Sequence, residues 1–213
     1  MNIIKKVVFT LATALCSTIL NAEPVVLTYH DVIRKNSASA DYYAVTEEEL
    51  ATQVQWLKLS GWTFLSLDDF KKIKKGTIKA PEKSVLIMFD DAEKSTCNLV
   101  YPLLKVQKVP FTVAIVSSWI ENERNKEKYC SWAELKQLAG DDLVSFATHS
   151  HDLHKDVRSN KWGNRQPAAV TQEWLAEKET VETLQEYKNR IKSDLERSRT
   201  IIAEKIEIGR AHV

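Results

Sequence analysis

The chain has 213 residues, 44% hydrophobic and 28% charged, which is enough apolar material for one sizeable core and reads as one soluble domain. Thirty Lys and Arg stand against 29 Asp and Glu, a formal net charge of +1, so no basic field points to a nucleic-acid partner and no acidic tail is present.

At the N-terminus, Lys5-Lys6 precede the apolar stretch from Val7 to Leu15, and a small-residue cut site falls at Ala22. This pattern predicts a secretory signal over residues 1–22 and export from the cytoplasm. The stretch is too short and too rich in Ala and Thr for a membrane span. Cys16 offers the alternative of a lipid anchor, although Leu15 before it is bulkier than the small residue such processing prefers. If Cys16 leaves with the signal, Cys97 and Cys130 remain, and an oxidising compartment permits a disulfide whose pairing geometry the sequence leaves open.

Strands and helices then alternate, which predicts a parallel α/β sheet. Val25-Val26-Leu27 form a short buried-strand run ending at His30-Asp31. Thr46 and Glu49 make a capping box, and Leu50, Val54 and Leu57 follow on one helical face as far as Gly61. Ser66 repeats the capping pattern, with Phe70 and Ile73 as the apolar stripe and Gly76 as the stop. The run Ser84 to Phe89 is a buried strand that leads into Asp90-Asp91. Leu99, Leu103 and Val106 suggest a helix before Pro110, and Phe111 to Val116 is β-branched enough for another buried strand. Ser131 and Glu134 cap a helix closing near Gly140, after which Leu143 to Thr148 run into His149-Ser150-His151-Asp152-Leu153-His154. Residues 155–171 read as a long polar loop, with Gly163 and Pro167. From about residue 179 to 206 an amphipathic helix is predicted, with Leu184, Tyr187, Ile191, Leu195 and Ile202 as its stripe and its charges as a solvated face. Residues 208–213 break that pattern abruptly and resemble a translated sequencing adapter, so they are read as a non-native tail after a domain of residues 23–207.

Two strand-like segments that both end in metal-ligand side chains point to a site at one edge of a parallel sheet. Hydrolysis of an amide or ester needs an activated water and a stabilised oxyanion, and one divalent metal held by imidazoles and a carboxylate can supply both. Neighbouring residues at a strand end point in different directions, so Asp90 and Asp91 can divide the work between base and ligand. His149 and His154 are spaced to converge through a loop, while His149 and His151 offer an alternative pair. His30 after the first strand gives a weaker signal of the same kind.

Phe89-Asp90-Asp91-Ala92 resembles the Thr-Phe-Asp-Asp-Gly motif of NodB-type polysaccharide deacetylases, and His149-Ser150 through His154 resembles their histidine metal motif. The opening Leu27-Thr28-Tyr29-His30-Asp31-Val32, the stretch from Gln53 to Trp62 and the insertion after His154 are similar to the poly-β-1,6-N-acetyl-D-glucosamine deacetylases of Gram-negative biofilm systems. The resemblance implies a distorted (β/α) barrel, incomplete in this chain, that removes N-acetyl groups during exopolysaccharide export. Its partners would be a β-linked N-acetylglucosamine polymer and other export components, with no nucleic acid, in the periplasm or at the outer membrane. It implies Asp90 as general base, Asp91, His149 and His154 as ligands of zinc, iron, cobalt or nickel, and His30 and Asp31 against the substrate. Rival expectations are a deacetylase of chitin oligomers, peptidoglycan or acetyl-xylan, and a non-catalytic carbohydrate-binding module. Met88 stands where Thr is usual, Ala92 replaces a Gly, and the family's later motifs do not follow the last helix. A chain that stopped here would be expected to be poorly soluble and inactive.

Overall fold

The computed structural model describes residues 23–35, 37 and 43–206. The predicted signal, Cys16, the cut at Ala22 and the 208–213 tail lie outside the described residues.

Strand β1 (Val25–Tyr29) enters the molecule, followed by the short parallel pair β2 (Val32–Ile33) and β3 (Val45–Thr46). Helix α1 (Glu47–Leu59) starts on the predicted capping box: Thr46 N donates to Glu49 Oε2 at 2.8 Å, and Glu49 N donates back to Thr46 Oγ1 at 3.2 Å. Its Leu50, Val54 and Leu57 are buried, as their spacing requires. Gly61 then turns the chain at φ +76, a left-handed conformation that costs a residue with a Cβ about 1–2 kcal/mol. Next come β4 (Thr63–Phe64), α2 (Leu67–Lys74) and β5 (Ser84–Phe89). In α2 the buried residue is Leu67, while Phe70 and Ile73 are only half-buried.

A π-helical turn (Thr96–Val100) leads straight into α3 (Tyr101–Gln107), and here the predicted stripe is displaced. Val100 and Leu104 are buried, whereas Val106 is 84% exposed, because the wider turn rotates the following helix relative to a continuous 3.6-residue repeat. The chain continues through β6 (Phe111–Ile115), α4 (Ser117–Glu121), α5 (Trp132–Leu138, with its own capping box) and β7 (Val144–Thr148).

Five parallel strands form the main sheet, in the order β1-β5-β6-β7 with β4 also on β5. Val85 pairs with both Val25 and Phe64, and Phe89 with both Tyr29 and Val113, so β4 covers the first half of the β5 edge whose second half takes β6. Val85, Ile87 and Phe89 join α1, α3, α5 and α6 in one core, and Leu86 is buried on the opposite face. Burial on both faces is why this strand reads as an unbroken apolar run. The sheet does not close among the described residues, and Val25 and Val26 on β1 are each 40% exposed.

The segment read as a long loop is structured. It holds an antiparallel hairpin, β8 (Asp156–Arg158) with β9 (Arg165–Pro167), and a second hairpin follows it, β10 (Trp174–Leu175) with β11 (Thr180–Val181). Gly163 at φ +85 and Asn160, whose Oδ1 accepts from Trp162 N, make the first turn, so the Gly that suggested a loop is a hairpin residue. Helix α6 (Leu184–Ile206) therefore begins later than predicted. Its stripe is also corrected. Leu184 is 57% and Leu195 40% exposed, while Ser198, Ile202 and Ile206 are buried and Arg190 and Asp194 bond inward. No helix among the described residues is long and apolar enough to cross a membrane.

Candidate metal centre

Because β1, β5, β6 and β7 are parallel, their C-terminal ends share one edge, and the residues following each meet there. His30 and Asp31 follow β1, Asp90 and Asp91 follow β5, Ser117 follows β6, and His149 follows β7. Sheet hydrogen bonds persist to the last of these positions: Asp90 N donates to Tyr29 O at 2.8 Å and His149 N to Ile115 O at 2.8 Å.

Asp91, His149 and His154 bring one ligand atom each to within 4.8 Å of one another. Asp91 Oδ1 lies 3.8 Å from His149 Nε2 and 3.9 Å from His154 Nε2, and Asp90 Oδ2 lies 4.0 Å from His149 Nε2. These separations are too long for hydrogen bonds, yet Asp91 Oδ1 is buried with no hydrogen-bond partner, which a cation shared with the imidazoles would supply. The donor set fits a divalent metal, and the exposure of the two imidazoles, 33% and 44%, leaves one side of the site open. His151 stands apart: its ring is buried and its Nδ1 lies 3.0 Å from Ser117 Oγ.

Asp90 sits beside this group with Oδ1 buried and without a hydrogen-bond partner. Burial pushes its carboxyl above the usual range, against the opposing pull of His149 and His30. The His30 ring lies 5.7 Å from that of Tyr43. Asp31 is engaged differently. Its Oδ1 accepts from Ser95 Oγ at 2.5 Å, and Ser95 Oγ accepts from Val32 N at 3.1 Å, so this carboxylate ties β2 to the helical turn.

Asp91 and Ala92 both have positive φ, 69 and 56. Asp enters this region readily, whereas Ala92 occupies it at a cost of about 1–2 kcal/mol where a Gly would not. The surroundings hold it there: Ala92 is fully buried, its carbonyl accepts from Cys130 N at 2.9 Å, and Glu93 bridges to Tyr129. Cys97 and Cys130 close a disulfide across the same loop, with Cα atoms 6.2 Å apart.

Sequence reasoning missed two residues here. Glu93 is buried 3.4 Å from Lys128 Nζ, and burial pushes its carboxyl to about 7. Trp119 on α4 stacks on Tyr129 and meets the His154 ring at 4.8 Å, edge to face. Its position just past the end of β6 was the available signal. A cavity of about 310 Å³ adjoins both histidines, with Leu153, Ala169, Ile191 and Leu195 among its walls.

An open parallel sheet whose C-terminal edge gathers two carboxylates and two imidazoles defines an α/β protein with a candidate metal centre. Residues 77–212 match the polysaccharide deacetylase family, and the chain belongs to that family. It is 26% identical over 196 residues to a poly-β-1,6-N-acetyl-D-glucosamine N-deacetylase of Escherichia coli K12, covering 87% of this chain and 29% of that protein. It is 34% identical over 148 residues to the protein of the same name from Staphylococcus aureus MSSA476, covering 63% of this chain and 50% of the relative. The chain thus spans half or less of these relatives' lengths. Among solved structures, a de-N-acetylase from Aggregatibacter actinomycetemcomitans superposes with a TM-score of 0.77 at 29% identity, covering 86% of this chain and 75% of the other. The BpsB deacetylase domain of Bordetella bronchiseptica gives 0.73 at 28%, covering 87% and 76%. The NodB-type α/β fold expected from the motifs is the fold these structures share.

Proposed function

We propose that this protein is a metal-dependent N-deacetylase of exported poly-β-1,6-N-acetyl-D-glucosamine, acting outside the cytoplasm. The observation that carries the proposal is the convergence of Asp91, His149 and His154 beside a buried, unpartnered Asp90 oxygen. The names of the relatives supply the glycan. Two imidazoles and one carboxylate suit zinc, iron, cobalt or nickel. When bound, such a cation polarises the acetamide carbonyl and acidifies water.

The chain's own groups do the rest. Asp91, His149 and His154 would hold the cation, and the part-exposed imidazoles leave room for substrate. The Asp90 carboxylate accepts the proton of the attacking water as the water oxygen bonds to the acetyl carbon. The same proton passes to the glucosamine nitrogen as the C–N bond breaks, releasing acetate and leaving a free amine on the polymer. His30, which follows β1 at the same sheet edge as Asp90, would contact the incoming substrate.

Acetate release from the acetylated polymer by the cobalt- or zinc-loaded protein, extended to the length of its relatives, tests this. The expected result is release that disappears with chelation. Release from chitin oligomers or acetyl-xylan alone would move the substrate, and release from no acetylated glycan at full metal occupancy would overturn the enzymatic reading.

A further inference from the structure

Beyond His149 the backbone leaves the sheet, and the segment that carries it to His154 takes its hydrogen bonds from two helices. From α4, Ser117 N donates to Ser150 O at 3.2 Å and Ser118 N to His151 O at 3.1 Å. From α6, Asp194 receives two successive amides, His151 N on Oδ1 at 2.8 Å and Asp152 N on Oδ2 at 2.7 Å. One turn further along, the fully buried Ser198 accepts from Thr148 Oγ1 at 2.6 Å and donates to Ser150 O at 3.1 Å. Between these anchors Ser150 has φ 84, a conformation that persists in a residue with a side chain only when its surroundings impose it.

We propose that Asp194 is a positioning residue for the metal centre. Its carboxylate fixes the backbone between the two histidines so that both Nε2 atoms face Asp91. A carboxylate that accepts two adjacent N–H groups, one per oxygen, sets the orientation of both peptide planes, and the bonds are charge-assisted. Without it, two adjacent amides lose their partner and the strained turn at Ser150 keeps only the Ser198 hydroxyl as its anchor on α6. His154, which has no sheet hydrogen bond of its own, depends on that turn for its distance from His149. Outer groups that orient metal ligands typically change metal affinity by about 10–100-fold when removed.

This inference rests on the metal-centre reading, and the test separates the two. The full chain, freed of metal, is titrated with Co(II), following the heat of binding and the visible absorption of the bound ion. Asp194→Ala is expected to bind about 10–100-fold more weakly with an altered absorption spectrum. Asp194→Asn, which retains one acceptor oxygen, should fall between Asp194→Ala and the native chain. Glu196→Ala, on the exposed face of the same helix, should bind as the native chain does. Amide exchange at His151 and Asp152 should rise in Asp194→Ala before exchange rises in β5. If Asp194→Ala unfolds, Asp194→Asn carries the comparison. A native chain that takes up no Co(II) would remove the metal-centre reading and this inference with it. A native chain that binds, with both Asp194 variants within about twofold of it, would overturn the inference alone.

Discussion

The two halves of the candidate metal centre are held in place by different physics. The aspartate half hangs from β5, whose Val85, Ile87 and Phe89 are fully buried, and its loop is closed by the Cys97–Cys130 disulfide and by packing around Ala92. The histidine half hangs from β7, where only Val144 and Phe146 are buried, and its loop is held by side chains of α6 and the first turn of α4. Apolar burial is non-directional and tolerates small shifts, so the first half also needs a covalent tie to set its loop. The second half is set by hydrogen bonds, which fix direction but fail one partner at a time. The first half should therefore respond to reductant, and the second to single polar substitutions and to pH.

The largest effect that would break this arrangement is loss of a ligand. Asp91→Ala removes the carboxylate nearest both imidazoles and should abolish stoichiometric metal binding and acetate release together, with partial return in excess metal. Metal analysis beside acetate kinetics reads both, and undiminished metal content would move the ligand role elsewhere. Asp90→Asn should leave metal content intact and lower turnover by about 10²–10⁴-fold, the usual contribution of a positioned base. Excess metal should not restore it. The opposite pattern in the two variants would exchange their roles.

Replacing Cys97 and Cys130 together by Ser should cost about 3–4 kcal/mol, given the separation of 33 residues that the bridge closes. Denaturant unfolding with and without reductant measures this. An unchanged midpoint would mean that burial alone secures the aspartate half.

On the histidine side, Arg190 grips Glu182 through Nε at 2.7 Å and Nη2 at 2.9 Å and donates to Ala168 O and Thr171 O, tying the double-hairpin insertion to α6. The guanidinium holds the Glu182 carboxyl below its ordinary value. A carboxylate depressed in the folded state stabilises above its unfolded pKa of about 4.3, and that stabilisation is lost as pH falls through the folded value. Amide exchange in β10 and β11 should therefore accelerate below about pH 4 while β5 stays protected, with a loss of about 1–3 kcal/mol locally. Uniform exchange across the chain would show that the insertion and sheet unfold as one. The smallest effect is expected from His151→Ala. Ser117 Oγ keeps Ser198 as a neighbour, so the cost should be about 1–2 kcal/mol in a thermal melt, with metal affinity unchanged. Loss of metal in this variant would favour the His149/His151 pair instead.

Much of the aspartate half is legible in the amino-acid sequence. A buried parallel strand is continuously apolar, so Ser84 to Phe89 announces itself and delivers Asp90-Asp91 at a definable point. The capping boxes at Thr46 and Ser131 are local hydrogen-bond patterns three residues long, and both form as their residues dictate. The insertion is less legible, because its two-residue strands β10 and β11 carry too little periodicity to distinguish a hairpin from a loop.

Sequence by itself determined the elements that depend on neighbours along the chain: the apolar strands, the caps, and the residues that must follow each strand end. Only the tertiary structure decided that His149 and His154, rather than His151, face Asp91, that Cys97 meets Cys130, and that α6 turns Arg190, Asp194 and Ser198 inward. The reason is range. Asp194 bonds to amides 42 and 43 residues away, and a charged residue on an amphipathic helix looks the same in sequence whether its partner is water or the backbone of a distant loop.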